Sequence, residues 1–226
     1  MVMVDSIEKI EVIPSDCTNE LRSLQTLYHG MQRIYGMVKR RELIFEANAP
    51  TGMVTAILGR DFDGTTDHLD AIACFFHWFG ISVCNFARLV GFLRGLKKNE
   101  FMRSDLQNKS KFTYIKTSIN AYRDSIPELA EVHIWRNKVF GHYAITDPYK
   151  DDNIATLDMS VVFPISWENG HYVAGGMTMI KNSAAGSFTS ELPYWSFTKV
   201  FESLIPRYWP NFVPPTVEQV KQALQT

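Results

Sequence analysis

The stretch Asp61–Lys98, DFDGTTDHLDAIACFFHWFGISVCNFARLVGFLRGLKK, decides how the rest of the chain is arranged. Its first ten residues hold four Asp and His68. Their spacing fits no calcium loop, and acids in a first helical turn are favoured by the helix dipole, so they mark a helix start and no metal is expected. From Ala71 onward apolar residues cover most faces instead of one stripe, which places this helix at the centre of a bundle. The run Ala71–Ala87 is the membrane candidate. It has 17 residues, carries His77, Ser82 and Asn85, and ends on Arg88. That length and polarity predict a buried helix of a soluble protein with no membrane partner.

Working outward, an earlier helix starts at Ser15 or Asp16. Leu24, Leu27, Tyr28, Met31, Ile34, Tyr35 and Val38 recur along it at three-to-four spacing, and it stops at Asn48-Ala49-Pro50. Residues 50–64 form a connector. Residues 99–125 hold a polar connection and a third helix. Ser125-Ile126-Pro127-Glu128 then has capping-box spacing and predicts a fourth helix, PELAEVHIWRNKVFGHYAI, ending at Thr146-Asp147-Pro148.

Beyond it the texture becomes β-branched and partly alternating. TLDMSVVF and HYVAGGMTMI flank Trp167-Glu168-Asn169-Gly170, and Asn-Gly between such runs predicts a hairpin at about 154–181. A last helix is expected at about 195–208. The expected architecture is a single domain over 1–226: mostly α, a helical bundle with an appended C-terminal β-hairpin.

Composition supports a folded chain. Of 226 residues 46% are hydrophobic and 21% charged, which excludes disorder, and the net charge of −1 gives no whole-chain signal for nucleic acid. Cys17, Cys74 and Cys84 form no CxxC pair. Cys74 and Cys84 sit about 15 Å apart along one helix, too far to bridge, so the thiols read as reduced and cytoplasmic. The start, MVMVDSIEKIEVIPSD, lacks the basic segment and apolar run of a signal peptide.

Phosphate-loop, dinucleotide-fold, zinc-protease and nucleophile-elbow signatures are absent, so no cofactor is expected. The histidines are scattered: His77 and His133 lie in apolar helical patterns, His29 and His68 read as exposed, and His171 sits beside the hairpin turn. His142 differs in context. It ends the segment Trp135-Arg136-Asn137-Lys138-Val139-Phe140-Gly141-His142-Tyr143. Arg22 and His29 satisfy the same Arg-to-His spacing, but lack the Asn after Arg, the Gly before His and the aromatic flanks.

Arg136-Asn137 followed by His142, late in a helical bundle, resembles the HEPN family (higher eukaryotes and prokaryotes nucleotide-binding). The likeness is close over this segment and loose over the helical part. It implies an all-α, usually dimeric protein, in many members a metal-independent RNase of toxin–antitoxin or phage-defence systems. His142 would be the general acid/base, Arg136 the phosphate stabiliser and Asn137 the positioning group, with Lys138 and Tyr143 in support. The residue types suit the chemistry: imidazole titrates near neutrality, and guanidinium offers a planar fork of donors to phosphate.

On an ideal helix Arg136 and His142 lie about 120° apart. A two-fold pairing of this helix with its mate would therefore gather both sets into one cleft, implying a homodimer. An antitoxin or other regulatory protein is a further implied partner. The alternative within the family is a non-catalytic module binding nucleic acid, nucleotide or protein. A third reading is a structural interaction protein that uses the hairpin as its contact surface; the bland reading of the motif itself has Arg136 and Lys138 solvated with Glu128 or Glu131 nearby and His142 capping the helix end.

Residues 94–123 add a local signal. Arg94, Lys97, Lys98, Arg103, Lys109, Lys111, Lys116 and Arg123 face only Glu100 and Asp105, a net +6. Phe101, Phe112 and Tyr114 lie among them and could stack on bases. Lys97, Lys98, Arg103, Lys109, Lys111 and Lys116 are the expected RNA-backbone contacts; a solvated connecting surface is the other reading of the same cluster.

Overall fold

In a computed structural model, the protein is described at residues 15–48, 66–137, 165–175, 178–183, 186–191 and 193–208, with positions 213, 216 and 222. After a 3₁₀ turn at Ser15–Cys17 come α1 (Thr18–Asn48), α2 (Thr66–Asn99), a 3₁₀ turn at Arg103–Gln107, α3 (Lys109–Asp124) and α4 (Leu129–Trp135). Two antiparallel hairpins follow, β1 (Ile165–Glu168) with β2 (His171–Ala174), and β3 (Thr178–Ser183) with β4 (Gly186–Glu191). The short α5 (Phe197–Leu204) runs into a 3₁₀ turn at Ile205–Arg207. The fold is a mostly helical bundle carrying β-hairpin structure.

Helix α2 is the hub, packing against α1, α3, α4, α5 and β1. Ile72, Phe76, Phe79, Val83, Phe86 and Ala87 on it are sealed from solvent. By length and apolar composition Ile72–Asn99 could cross a membrane, yet half of its most apolar window is buried inside this fold. Phe76 meets Trp195 and Phe197 edge-on, each ring centroid 4.8 Å away, which clamps α5 to the hub. Truncating a core ring of this kind to Ala costs about 3–5 kcal/mol.

Two glycines on α2 set the position of α3. A Cβ at Gly91 would lie 3.0 Å from the Ile119 Cα, and one at Gly95 would lie 2.7 Å from the Ser118 Cβ. Bare glycine at this spacing lets the two backbones close up. The Asn108 side chain accepts from the Ser110 and Lys111 amides and starts α3 in the right place.

The Asn169-Gly170 turn forms as expected, with both residues at positive φ (50° and 80°), the geometry of a type I′ hairpin. Its two-residue loop sets Glu168 opposite His171 and Ile165 opposite Ala174. The predicted partner run TLDMSVVF lies outside the described residues, and the described strand paired with β2 is ISWE. The run HYVAGGMTMI is split: its first four residues form β2, while Thr178–Ile180 begins a second hairpin that the sequence reading did not anticipate. Beyond β2, Ala174 exchanges backbone hydrogen bonds of 2.9 and 2.8 Å with Trp195, which turns the chain toward α5 instead of extending the first hairpin.

Three helix boundaries also move. The capping box at Ser125–Glu128 does not form. Ser125 caps the end of α3, its hydroxyl donating to the Tyr122 carbonyl, while Glu128 accepts from Ser203 and faces Arg207. Regular α-helix begins at Leu129, not Pro127, and gives way at Arg136–Asn137 to a wider π-type turn. The last helix begins at Phe197 rather than Trp195, because the Ser196 hydroxyl caps it by accepting from the Lys199 amide. Cys17, Cys74 and Cys84 are all free thiols.

Candidate functional site

The rotation of α4 is fixed by its apolar side. Leu129, Val132 and Trp135 are buried, and the Trp135 indole donates to the Pro193 carbonyl at 2.6 Å. That leaves His133, Arg136 and Asn137, spaced i, i+3 and i+4, half-buried along an adjoining face.

A continuous hydrogen-bond chain links them to α3. Arg136 Nη1 donates to Asn137 Oδ1 at 2.9 Å, and Asn137 Nδ2 lies 3.1 Å from His133 Nε2. Arg123 Nη1 approaches the same imidazole nitrogen at 3.2 Å. Arg123 also holds Asp124, its Nε and Nη2 each 2.7 Å from Oδ1. Guanidinium can only donate, so Asn137 must present its oxygen to Arg136 and its NH₂ to His133. His133 Nε2 is therefore an acceptor, the ring proton sits on Nδ1, and the imidazole is neutral. Burial, then Arg123 and Arg136, with a smaller push from Arg88, hold its pKa below the usual 6.5; only Asp124 opposes them. His133 Nδ1 is itself buried and has no hydrogen-bond partner among the described residues.

Arg88 projects from α2 toward the same place. It lines one cavity together with Arg123 and His133, and burial pushes the nearby Cys84 thiol up to about 12, with Arg136, Arg123 and Arg88 each pulling it down. Among the described residues only Arg123 of these three has a carboxylate partner. Arg88 makes no hydrogen bond or ion pair among the described residues, and Arg136 spends one N–H on Asn137. The site is thus rich in donors and positive charge and short of acceptors, which is the condition for holding an oxyanion.

Beside it opens a cavity of about 340 Å³. Arg88 and Phe92 line it from α2, Phe112, Lys116, Asn120 and Arg123 from α3, and His133 from α4. A shallower groove of about 660 Å³ shares Arg88 and Phe92 and continues to Arg22 and Ser23 of α1. Arg22, from the rival Arg/His pair, thus borders the groove, while His29 packs beside Tyr28, ring centroids 5.6 Å apart.

Of the residues expected to form the site, Arg136 and Asn137 are joined as described. Lys138, His142 and Tyr143 lie outside the described residues. The angle expected between Arg136 and His142 falls with His142 outside the described residues. Glu128 does not neutralise Arg136, being engaged with Ser203 and Arg207.

The six basic residues expected to track RNA do not behave alike. Lys116 lines the cleft. Lys109 stands near the α3 start, in the same stripe as Phe112, Lys116 and Arg123. Arg103 is paired with Glu20 at 2.6 Å, and Lys111 with Asp105 at 3.3 Å while lying over the Phe101 ring. Lys97 and Lys98 are exposed at the far end of α2. They are not one continuous track.

Sequence reading missed His133 and Arg88 as site residues. His133 had a signal: His-x-x-Arg-Asn on a helix places an imidazole beside both following side chains. Arg88 had a weaker one, lying one turn beyond Cys84 in an otherwise apolar helix.

Compared with known proteins, the chain matches no family model, no curated protein and no solved structure.

Proposed function

We propose that this chain is a HEPN-type, metal-independent endoribonuclease. The observation that supports it is the hydrogen-bond chain Arg136–Asn137–His133–Arg123 beside a cleft lined by Arg88, Arg123 and His133, with Asp124 the one carboxylate paired in it among the described residues. In this reading the scissile phosphate sits against Arg136 and Arg88. The 2′-oxygen attacks phosphorus as its proton passes to a base. The bond to the 5′-oxygen breaks as that oxygen gains a proton, and a 2′,3′-cyclic phosphate remains. His142 carries the proton transfers, Arg136 stabilises the added charge and Asn137 positions the phosphate, with Lys138 and Tyr143 in support. Lys116 and Phe112 extend the contact along the strand by charge and stacking. The protein works in the cytoplasm as a homodimer through the helix bearing Arg136, in a toxin–antitoxin or phage-defence setting with an antitoxin or regulatory partner.

A second reading has its own support. The imidazole within the described site, His133, is held neutral by two donors on one nitrogen, so the site as described binds an anion without a group free to relay protons. A non-catalytic module binding nucleic acid or nucleotide would need nothing more. Incubating labelled single-stranded and structured RNA in EDTA with wild type, Arg136→Ala and His142→Ala separates the two. Cyclic-phosphate products lost in both variants support the nuclease. RNA retained but uncut by wild type supports the binding module. Equal cleavage by all three forms would reject this site.

A further inference from the structure

We infer that His133 is a positioning residue for Arg136, acting through the Asn137 amide; this rests on the ribonuclease reading for its kinetic consequence. An Asn side chain can turn over, exchanging its oxygen and NH₂ at little intrinsic cost. Among the described residues the Asn137 oxygen, at 2.9 Å, is the acceptor for Arg136, and it is presented when the amide stays in that orientation. His133 Nε2, an acceptor 3.1 Å from Asn137 Nδ2, enforces it, because the flipped amide would set oxygen against a nitrogen lone pair. Arg123 Nη1, 3.2 Å from Nε2, keeps that nitrogen an acceptor, and Asp124 holds Arg123 in turn. The chain Asp124–Arg123–His133–Asn137–Arg136 thus passes orientation from α3 to the guanidinium at the end of α4. Such a brace fixes the guanidinium where the regular helix gives way to a wider turn.

The test compares His133→Gln, which keeps an acceptor near the Nε2 position, with His133→Phe, which removes it. Wild-type protein should show the Nδ1–H tautomer for His133 in long-range proton–nitrogen spectra. Its Arg136 guanidinium signals should be visible in wild type and His133→Gln, and broadened away in His133→Phe. In cleavage assays His133→Phe should lower kcat about 10- to 100-fold with KM changed less than about threefold, while His133→Gln stays within about threefold of wild type. An Nε2–H tautomer, unchanged kcat in His133→Phe, or equal losses in both variants would overturn the proposal. If wild type cleaves no RNA, the ribonuclease reading fails separately, and the tautomer and the Arg136 signals alone decide whether His133 positions the arginine.

Discussion

Two polar clusters in this molecule use similar residues to opposite ends. In the first, Glu42 of α1 is buried with 1% of its surface exposed. Its carboxylate accepts from the Tyr172 amide at 3.0 Å and the Thr198 hydroxyl at 2.9 Å, with His171 Nδ1 at 3.4 Å. The acceptor is surrounded by donors from β2 and α5, and nothing is left over. The second cluster inverts this balance. Arg123 and Asn137 meet His133, Arg136 joins through Asn137 and Arg88 lines the same cavity, and among the described residues one carboxylate is paired there and the His133 Nδ1 proton has no acceptor. A saturated buried carboxylate ties elements together. A partly exposed set of cations short of acceptors leaves a place for an anion.

Substitution should therefore separate stability from activity. The largest effect is expected at Arg136. Arg136→Ala should reduce RNA cleavage by about 10²–10³-fold, the range for losing one donor to transition-state charge, while the denaturant midpoint barely moves. Glu42→Ala should do the reverse. With buried donors left unpaired, it should cost about 3 kcal/mol in urea unfolding while cleavage per folded molecule is retained. Exchange of these two outcomes would break the comparison.

The histidines sharpen it further. His133 has its folded pKa held below the ordinary 6.5, so as pH falls past that value the unfolded chain takes up the proton first and stability drops. Above pH 6.5 both states are neutral at this residue, and it contributes no slope. Thermal unfolding of His133→Gln between pH 7 and 5 should thus fall less steeply than that of wild type. A steeper fall in the variant would contradict the neutral assignment.

The smallest difference is expected among the lysines. Lys116→Ala should weaken RNA binding several-fold at low salt. Lys111→Ala, already paired with Asp105, should change it less than about twofold, as measured by filter binding.

How far these clusters could be read in advance depended on whether their partners were local. Asn169-Gly170 announced its hairpin because a two-residue turn carries its own geometry, and the all-round apolar surface of α2 announced the hub. Arg136 and Asn137 were legible as adjacent residues of a motif. Long-range pairing was not. Glu128 looked like a capping residue until Ser203, 75 positions away, claimed it. Arg103 counted toward a basic patch because a tally over 94–123 does not reach Glu20, and Lys111 because the tally subtracts Asp105 without saying which lysine it pairs with. Arg88 joined the site only because Gly91 and Gly95 let α3 close on α2, which no local pattern states.

The most direct test is the salt dependence of RNA binding in EDTA, using a 2′-deoxy-substituted single strand that cannot be cleaved. Each phosphate contact to a single strand contributes about 0.7 to the slope of log affinity against log salt. Removing the two arginines that have no carboxylate partner among the described residues, as Arg88→Ala with Arg136→Ala, should flatten that slope by about 1.4 while Glu42→Ala leaves it unchanged. An unaltered slope in the double variant would mean that the phosphate does not bind at these two arginines.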